Sequence, residues 1–173
     1  MRGQQTAEEL RDWIERTLRR LSKRLNLPLY SEEVVLLLLM IAAHESLFGK
    51  YREQEGGGPA LGIFQIEKET LRDLYENYLK YRQEYRAAVD SFIPPYWHRE
   101  DCLRDVDDYA VAVARMLLWR KPEPIPKESD FANHPEPRTA FLLALADYAK
   151  KHWNTHEGAA TPEKYLRDYL RLI

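Results

Sequence analysis

The residues best suited to catalysis lie at the end of the longest apolar run in the chain. Ten consecutive apolar residues, Val34 to Ala43, precede His44 and Glu45. A helix over this run places Glu45 near the negative end of the helix dipole and close to the protein interior. Both surroundings disfavour a charged carboxylate, so Glu45 is a candidate general acid. The alternative is a glutamate that points to solvent at a helix end.

A glycine-rich segment follows Glu45 closely. Five of the seven glycines fall within residues 49–62, which indicates unusual backbone angles or close approach of another molecule. Ile63 and Phe64 are apolar and would anchor this segment, while Gln65 offers an amide that can bond to sugar hydroxyls or to a carboxylate. A structural turn would explain the glycines alone, but not their closeness to Glu45.

No second catalytic carboxylate is fixed by the pattern. Glu53 and Glu55 lie in the glycine-rich segment, where a solvated role is the commoner one for a loop glutamate. His44 followed by Glu45 also invites a comparison with zinc proteases, but the position four residues after His44 is Phe48 instead of a second histidine. We therefore expect neither a metal nor a cofactor.

The elements that must position these residues are predicted to be helices. Residues Thr6 to Leu25 form an amphipathic pattern, and Ser31 can cap a second helix that runs to about Leu47 and is apolar on every side. Further helices are predicted over about residues 67–89, from Asp105, over about residues 138–151 and from Thr161. The expected fold class is mostly α, with six or seven helices, little strand and a buried central helix.

Length and composition restrict the classes of protein. A chain of 173 residues suits a single domain. A net charge of −2 offers no attraction to nucleic acid. The ten-residue apolar run is too short for a membrane span, which needs about 20 residues. Cys102 is the single cysteine, and the N-terminus lacks the apolar core of a secretory signal. We expect a protein made in the cytoplasm without a signal peptide.

Three segments together resemble a known family. Glu-Ser at 45–46, followed after a short spacer by Gly-Pro-Ala-Leu-Gly-Ile-Phe-Gln-Ile at 58–66, resembles the core motif of soluble lytic transglycosylases and goose-type lysozymes. Trp-Asn at 153–154 is similar to the later Tyr-Asn element of that family, with tryptophan replacing tyrosine. The stretch 105–116 is similar to the helix that lines the family's groove. The resemblance covers roughly residues 31–158.

The resemblance implies a lysozyme-like fold in a single domain spanning residues 1–173. Residues 1–30 would be an N-terminal helical extension, 31–158 the motif-bearing core and 159–173 a C-terminal helix. Glu45 would be catalytic. The residues implied to bind substrate are Ser46, Gly62, Ile63, Phe64, Gln65, Tyr109, Trp153 and Asn154. The groove would gather Gln65, Tyr109, Trp153 and Asn154 around Glu45.

The resemblance also implies an activity, which is cleavage of the β-1,4 glycan strands of peptidoglycan. In the lytic route Glu45 acts as acid and then as base, and the sugar's own substituent attacks the anomeric carbon to leave an anhydro product; hydrolysis is the other route. The amino-acid sequence of the motif is most similar to that in small transglycosylase-like proteins of bacteriophages. That likeness implies a virion-associated enzyme that acts on the bacterial wall and contacts other virion proteins. Two alternatives stay open: a structural or assembly protein of a virion with little catalysis, and a helical interaction module.

Overall fold

Helices make up most of the structure, a computed structural model that describes residues 3–54, 56–153 and 160–173. Eight α-helices occur in these residues, which confirms the mostly α class. In chain order they are α1 (Ala7–Leu25), α2 (Glu32–Ser46), α3 (Lys68–Asn77), α4 (Gln83–Asp90), α5 (Arg99–Asp105), α6 (Asp107–Trp119), α7 (Pro137–His152) and α8 (Pro162–Leu172). Glu55 and Asn154 lie outside the described residues.

Helix α2 is the centre of the core, as the sequence predicted. The Ser31 hydroxyl accepts a hydrogen bond from the Val34 amide at its start, and Leu47 ends it in the left-handed conformation. Every residue from Val34 to Ala43 is buried. Helices α1, α7 and α8 pack against it. Burial on all sides explains why the helix has no polar face, because an exposed side would leave apolar surface in water. No described helix is long and apolar enough to cross a membrane.

Helix α1 packs into the same core. It begins at Thr6, whose side chain caps the Glu9 amide while the Glu9 side chain accepts from the Thr6 amide. Its buried apolar face contacts α6 and α2. That face consists of Leu10, Ile14, Leu18 and Leu21. The described part of residues 1–30 therefore contributes to the core that surrounds α2.

The single helix expected over residues 67–89 is instead two helices, α3 and α4, separated by a 3₁₀ turn at Leu79–Tyr81. The backbone leaves the helical region at Tyr78, and the turn brings Leu79 into the core with no exposed surface. Core packing of this kind outweighs local helix propensity. Helix α5 was not predicted because it has only seven residues. The helix expected from Asp105 begins at Asp107.

A short hairpin completes the fold. Strands β1 (Ala60–Leu61) and β2 (Ile66–Glu67) pair antiparallel. Gly62 follows β1 with a positive φ of 80°, and a Cβ atom there would lie 2.0 Å from the carbonyl oxygen of Leu103 in α5. Only glycine allows this contact. The hairpin is thereby held against α5, beside the end of α2.

Candidate active site

Glu45 lies in the last turn of α2, half-buried, and lines a cleft with a volume of about 610 Å³. The hydroxyl of Tyr165 in α8 donates a hydrogen bond to Glu45 Oε1 at 3.2 Å. Tyr165 itself has no exposed surface. The carboxyl group is therefore held from the protein side and reaches the cleft from its other side.

The cleft is formed by the ends of helices and by the hairpin. Helices α2, α6 and α7 all reach it with their C-terminal ends, and α3 forms another wall. Most of the lining side chains are polar or charged. They are Glu45, Gln54, Gln65, Glu67, Glu69, Thr70, Asp73, Arg120, Lys121 and His152, with Ala60, Ile66, Leu117 and Trp153 as the apolar members.

Three helix C-termini at one cleft have an electrostatic consequence. The last carbonyl groups of a helix carry partial negative charge, so each end favours cations and disfavours anions nearby. Arg120 and Lys121 follow α6 at such an end, and His152 ends α7. Glu45 lies in the last turn of α2, at the third of these negative ends. A glutamate that faces a cleft can donate a proton when it is in its carboxylic acid form.

Ser46 connects the end of α2 to the hairpin. Its hydroxyl donates to the carbonyl oxygen of Ile63 at 2.7 Å and accepts from the amide of Gly49 at 2.9 Å. Ser46, Ile63 and Phe64 have no exposed surface, and Gly62 is also buried. The resemblance implied that these residues contact the substrate directly. Their burial leaves no side-chain surface for such a contact, so this expectation is replaced by a supporting role. They shape the hairpin beside Glu45.

A buried ion pair holds the first part of the glycine-rich segment. Arg52 Nη1 and Nη2 lie 2.6 and 3.2 Å from the two carboxylate oxygens of Asp107 at the start of α6. Gln5 Nε2 donates to the same carboxylate at 2.7 Å. Arg52 and Asp107 are 3% and 4% exposed. This pair fixes the segment to α6, and polar partners compensate its burial.

Gln65 lines the cleft, as the sequence predicted for this position, but its amide nitrogen is engaged by the loop. The side-chain Nε2 donates to the carbonyl oxygens of Gly62 at 2.9 Å and Tyr51 at 3.2 Å. The residue also has a positive φ of 49°. A bond from this side chain to a substrate would therefore use the amide oxygen.

Trp153 follows α7 and lines the same cleft as Glu45 and Gln65. Its indole N–H donates to the carbonyl oxygen of Phe64 at 3.2 Å, and the two rings meet edge to face with centroids 6.2 Å apart. The structure thus brings together residues that are more than 100 positions apart. Asn154, predicted beside Trp153, lies outside the described residues.

Tyr109 does not join this group, so its predicted place in the groove is wrong. It has no exposed surface, and its hydroxyl lies 2.9 Å from that of Tyr75, which in turn bonds to Asp90 at 2.6 Å. Burial raises the pKa of Tyr109. Helix α6 is buried on all sides, so Tyr109 faces a polar network in the core instead of the cleft.

Glu53, one of the two loop glutamates, has the solvated position that was the commoner expectation for it. Glu53 is exposed and pairs with Arg104 Nη1 at 3.2 Å, outside the lining of the cleft. Glu55 is not among the described residues. The cleft is instead lined by Glu67, Glu69 and Asp73. Glu67 directly precedes α3, and Glu69 and Asp73 lie within it. No sequence pattern singled them out, since they resemble ordinary surface residues of a helix.

Asp73 is the one of these carboxylates that is firmly held. Asn77 donates to its Oδ1 at 2.7 Å and Arg120 to its Oδ2 at 2.9 Å. These two hydrogen bonds lower the pKa of Asp73, which keeps it ionised.

The sequence also missed the contribution of α8 to the surroundings of Glu45. His44 Nδ1 lies 2.8 Å from Asp168 Oδ2, and the His44 ring stacks against Tyr165 with centroids 4.1 Å apart. Helical spacing places Tyr165 on the buried face of α8 but does not reveal its contact with Glu45. In the part of the chain that the structure describes, no group of three His, Cys, Asp or Glu side chains is arranged to hold a metal.

Comparison with known proteins gives no family assignment. No protein-family model matches the chain, and no curated protein or solved structure matches it.

Proposed function

We propose that the protein cleaves the β-1,4 glycan strand of peptidoglycan, as a lytic transglycosylase or a lysozyme-type glycosidase, with Glu45 as the general acid. The observation that carries this proposal is the placement of Glu45. It is a half-buried carboxyl group at a helix C-terminus that opens onto a polar cleft beside Gln65 and Trp153. A glutamate with a purely structural role does not require a cleft in front of it.

The form of the cleft supports a saccharide ligand. Its volume of about 610 Å³ lies within the range of about 300–1,000 Å³ that is usual for ligand sites. Its polar lining offers hydrogen-bond partners to a chain rich in hydroxyl groups. Trp153 adds an aromatic side chain of the kind that packs against apolar faces of sugar rings.

The proposed reaction begins with proton transfer from Glu45 to the glycosidic oxygen, as the bond from that oxygen to the anomeric carbon breaks. In the lytic route implied by the resemblance, Glu45 then removes a proton from a hydroxyl group of the same sugar, whose oxygen bonds to the anomeric carbon. This closes an anhydro ring and returns the proton to Glu45. No water is consumed, so the route needs no second carboxylate.

Hydrolysis requires a group that activates water, and the cleft contains carboxylates that could do so. Asp73 is held in its ionised form by Asn77 and Arg120, and Glu67 and Glu69 line the same cleft. Mass spectrometry of the products separates the routes, because an anhydro product is lighter than the hydrolysis product by one water molecule.

The proposal includes a biological setting, which rests on the resemblance. The protein would be made in the host cytoplasm, incorporated into a bacteriophage virion and brought by it to the cell wall. Its partners would be peptidoglycan strands and other virion proteins. The alternative is a structural or assembly protein of the virion with little catalysis.

Glu45→Gln tests the catalytic role, because it keeps the shape of the side chain and removes the transferable proton. General acid catalysis contributes about 10²–10⁴-fold to a rate. We expect turbidity loss of purified sacculi to slow by at least about a hundredfold, while the melting temperature holds or rises. Glu76→Gln, an exposed position on α3, is the matched control and should retain full activity.

The outcomes separate the candidates. Retained activity in Glu45→Gln would remove this residue from the role of acid. A structural glutamate would lower the melting temperature when replaced and leave any activity in place. Absence of activity in the unmodified protein, on walls of several chemotypes, would favour the structural role in a virion.

A further inference from the structure

Lys121 is a cation in the cleft that the catalytic proposal does not use. It follows α6 directly after Arg120, is half-buried and lines the same cleft as Glu45. Its backbone amide bonds to the carbonyl oxygen of Leu118, so the chain is still held in a turn at this point. The side chain therefore starts from a fixed place.

The neighbouring basic side chains already have acidic partners. Arg120 pairs with Asp73 at 2.9 Å, and His152 pairs with Glu123. Across the described ranges, by contrast, no hydrogen bond or salt bridge engages the ammonium group of Lys121. Asp73 is near enough for Lys121 to favour its ionised form, but its two oxygens are occupied by Asn77 and Arg120.

At the end of α6, Asp73 pairs with Arg120 and not with Lys121, so the positive charge of Lys121 has no bonded counter-charge there. The other acidic residues of the lining are Glu45, Glu67 and Glu69. A half-buried ammonium group attracts an anion more strongly than one in bulk water, because the surrounding dielectric is lower. A ligand that fills the cleft and carries a carboxylate at this end would supply the missing partner.

We infer that Lys121 binds a carboxylate carried by the glycan and so makes the protein selective for charged over neutral strands. The inference rests on the proposed function. Peptidoglycan offers such a carboxylate in two ways. A muramyl sugar without a peptide has a free lactyl carboxylate, and a sugar whose lactyl group is joined to a peptide stem by an amide bond has the free carboxylates of that stem. A chitin oligosaccharide of the same length has none. Lys121 would thus determine specificity without a part in the bond cleavage.

The other explanation is that Lys121 stabilises α6. A cation next to a helix C-terminus interacts favourably with the helix dipole. Lys23, an exposed lysine in the last turn of α1, has that position outside the cleft of Glu45. It therefore provides a matched control, because Lys23→Gln removes the same charge from an equivalent place on another helix.

The test measures binding in the full chain with Glu45→Gln, which prevents turnover of the ligand. Titration calorimetry would compare three oligosaccharides of equal length: one with peptide stems, one with lactyl groups only, and one of chitin. Lys121→Gln should weaken binding of the charged oligosaccharides by about three- to tenfold, as expected for one partly exposed ion pair, and leave chitin binding unchanged. Lys121→Arg should keep the preference for charge, and Lys23→Gln should change none of the three.

The pattern also identifies the carboxylate. Weakening of the lactyl-only ligand alone indicates the lactyl group, weakening of the peptide-bearing ligand alone indicates the stem, and weakening of both indicates that Lys121 binds either carboxylate. Equal Kd values for Lys121→Gln and its parent on every ligand would overturn the inference while leaving the glycan-binding cleft intact. An effect of Lys121→Gln on chitin as large as on charged ligands would do the same. Absence of binding to all three would instead count against the proposed function itself.

Discussion

The two sides of Glu45 are built differently. On the side of the hairpin, Ser46 bonds to Ile63 and Gly49, and Arg52 pairs with Asp107, with every one of these polar side chains at most 4% exposed. On the side of α8, His44 and Asp168 have side chains 16% and 14% exposed. The hairpin side excludes water from its polar contacts. On the α8 side Tyr165 is buried, but its partner Glu45 is half-buried at the cleft, and His44 and Asp168 are partly accessible to water.

This difference separates stability from chemistry. A buried polar contact that loses one partner leaves an unsatisfied group in a medium of low dielectric. The loss therefore lowers the free energy of unfolding of the whole domain. A contact near water can be replaced by water, so its loss changes mainly the group it touches. We therefore expect changes on the hairpin side to lower the free energy of unfolding and changes on the α8 side to alter activity.

The largest effect on stability should come from Arg52→Met. It leaves the Asp107 carboxylate buried without its arginine, and breaking a buried pair by removing one partner costs about 3–5 kcal/mol. Urea denaturation monitored by circular dichroism measures this loss.

The double variant Arg52→Met with Asp107→Leu is the control, because it removes both charges. It should be more stable than Arg52→Met alone, since apolar residues can replace a buried pair at little cost. A single variant as stable as the unmodified protein would show that the hairpin side is not the more rigid anchor.

An intermediate effect is expected for Ser46→Ala. The carbonyl group of Ile63 and the amide of Gly49 both lose their buried partner, at a cost of about 1–3 kcal/mol. Sacculus degradation should fall as well, because the hairpin is no longer tied to the end of α2 beside Glu45. Ser31→Ala, which removes the cap at the far end of the same helix, should cost about 1 kcal/mol and leave the activity per folded molecule unchanged. Equal losses of activity in both variants would contradict a local role for Ser46.

The smallest effect on stability, with a distinct effect on chemistry, is expected for Tyr165→Phe. The variant removes the Tyr165 hydroxyl. That hydroxyl donates a hydrogen bond to Glu45, and the bond favours the ionised form of Glu45. The pH at which activity declines on the alkaline side should therefore rise. Tyr169→Phe, one turn later in α8 and also buried, is the control and should keep the original pH profile. An unchanged profile in Tyr165→Phe would mean that α8 supports Glu45 only by packing.

The parts of the fold that the sequence predicted are those in which a local pattern and the tertiary environment agree. The uniform apolarity of α2 requires burial, and Thr6 and Ser31 mark helix starts through their own side chains. Glu45, Gln65 and Trp153 were expected together and do line one cleft. The sequence motif that predicted these residues does not show which of its residues face the interior.

The errors have a common physical cause. Helical spacing predicts which face of a helix is buried but not which residues pack against that face. Tyr109 and Tyr165 are both tyrosines on a buried face, yet one bonds to Tyr75 in the core and the other to Glu45 at the cleft. The break at Tyr78 depends on how Leu79 packs, and the cleft carboxylates depend on how α3 meets α6. These are long-range contacts, and a single sequence does not contain a local signal for them.

The burial of α2 on every side also limits how the sequence can vary. In an amphipathic helix such as α1, the solvent-facing half accepts almost any polar residue, so related chains can drift apart there. Each position from Val34 to Ala43 instead has neighbours that fix its volume. Substitutions in this stretch must be compensated in α1, α7 or α8. Distant relatives of this chain should therefore be sought by the ten apolar residues that lead to Glu45, rather than by the helices that form the surface.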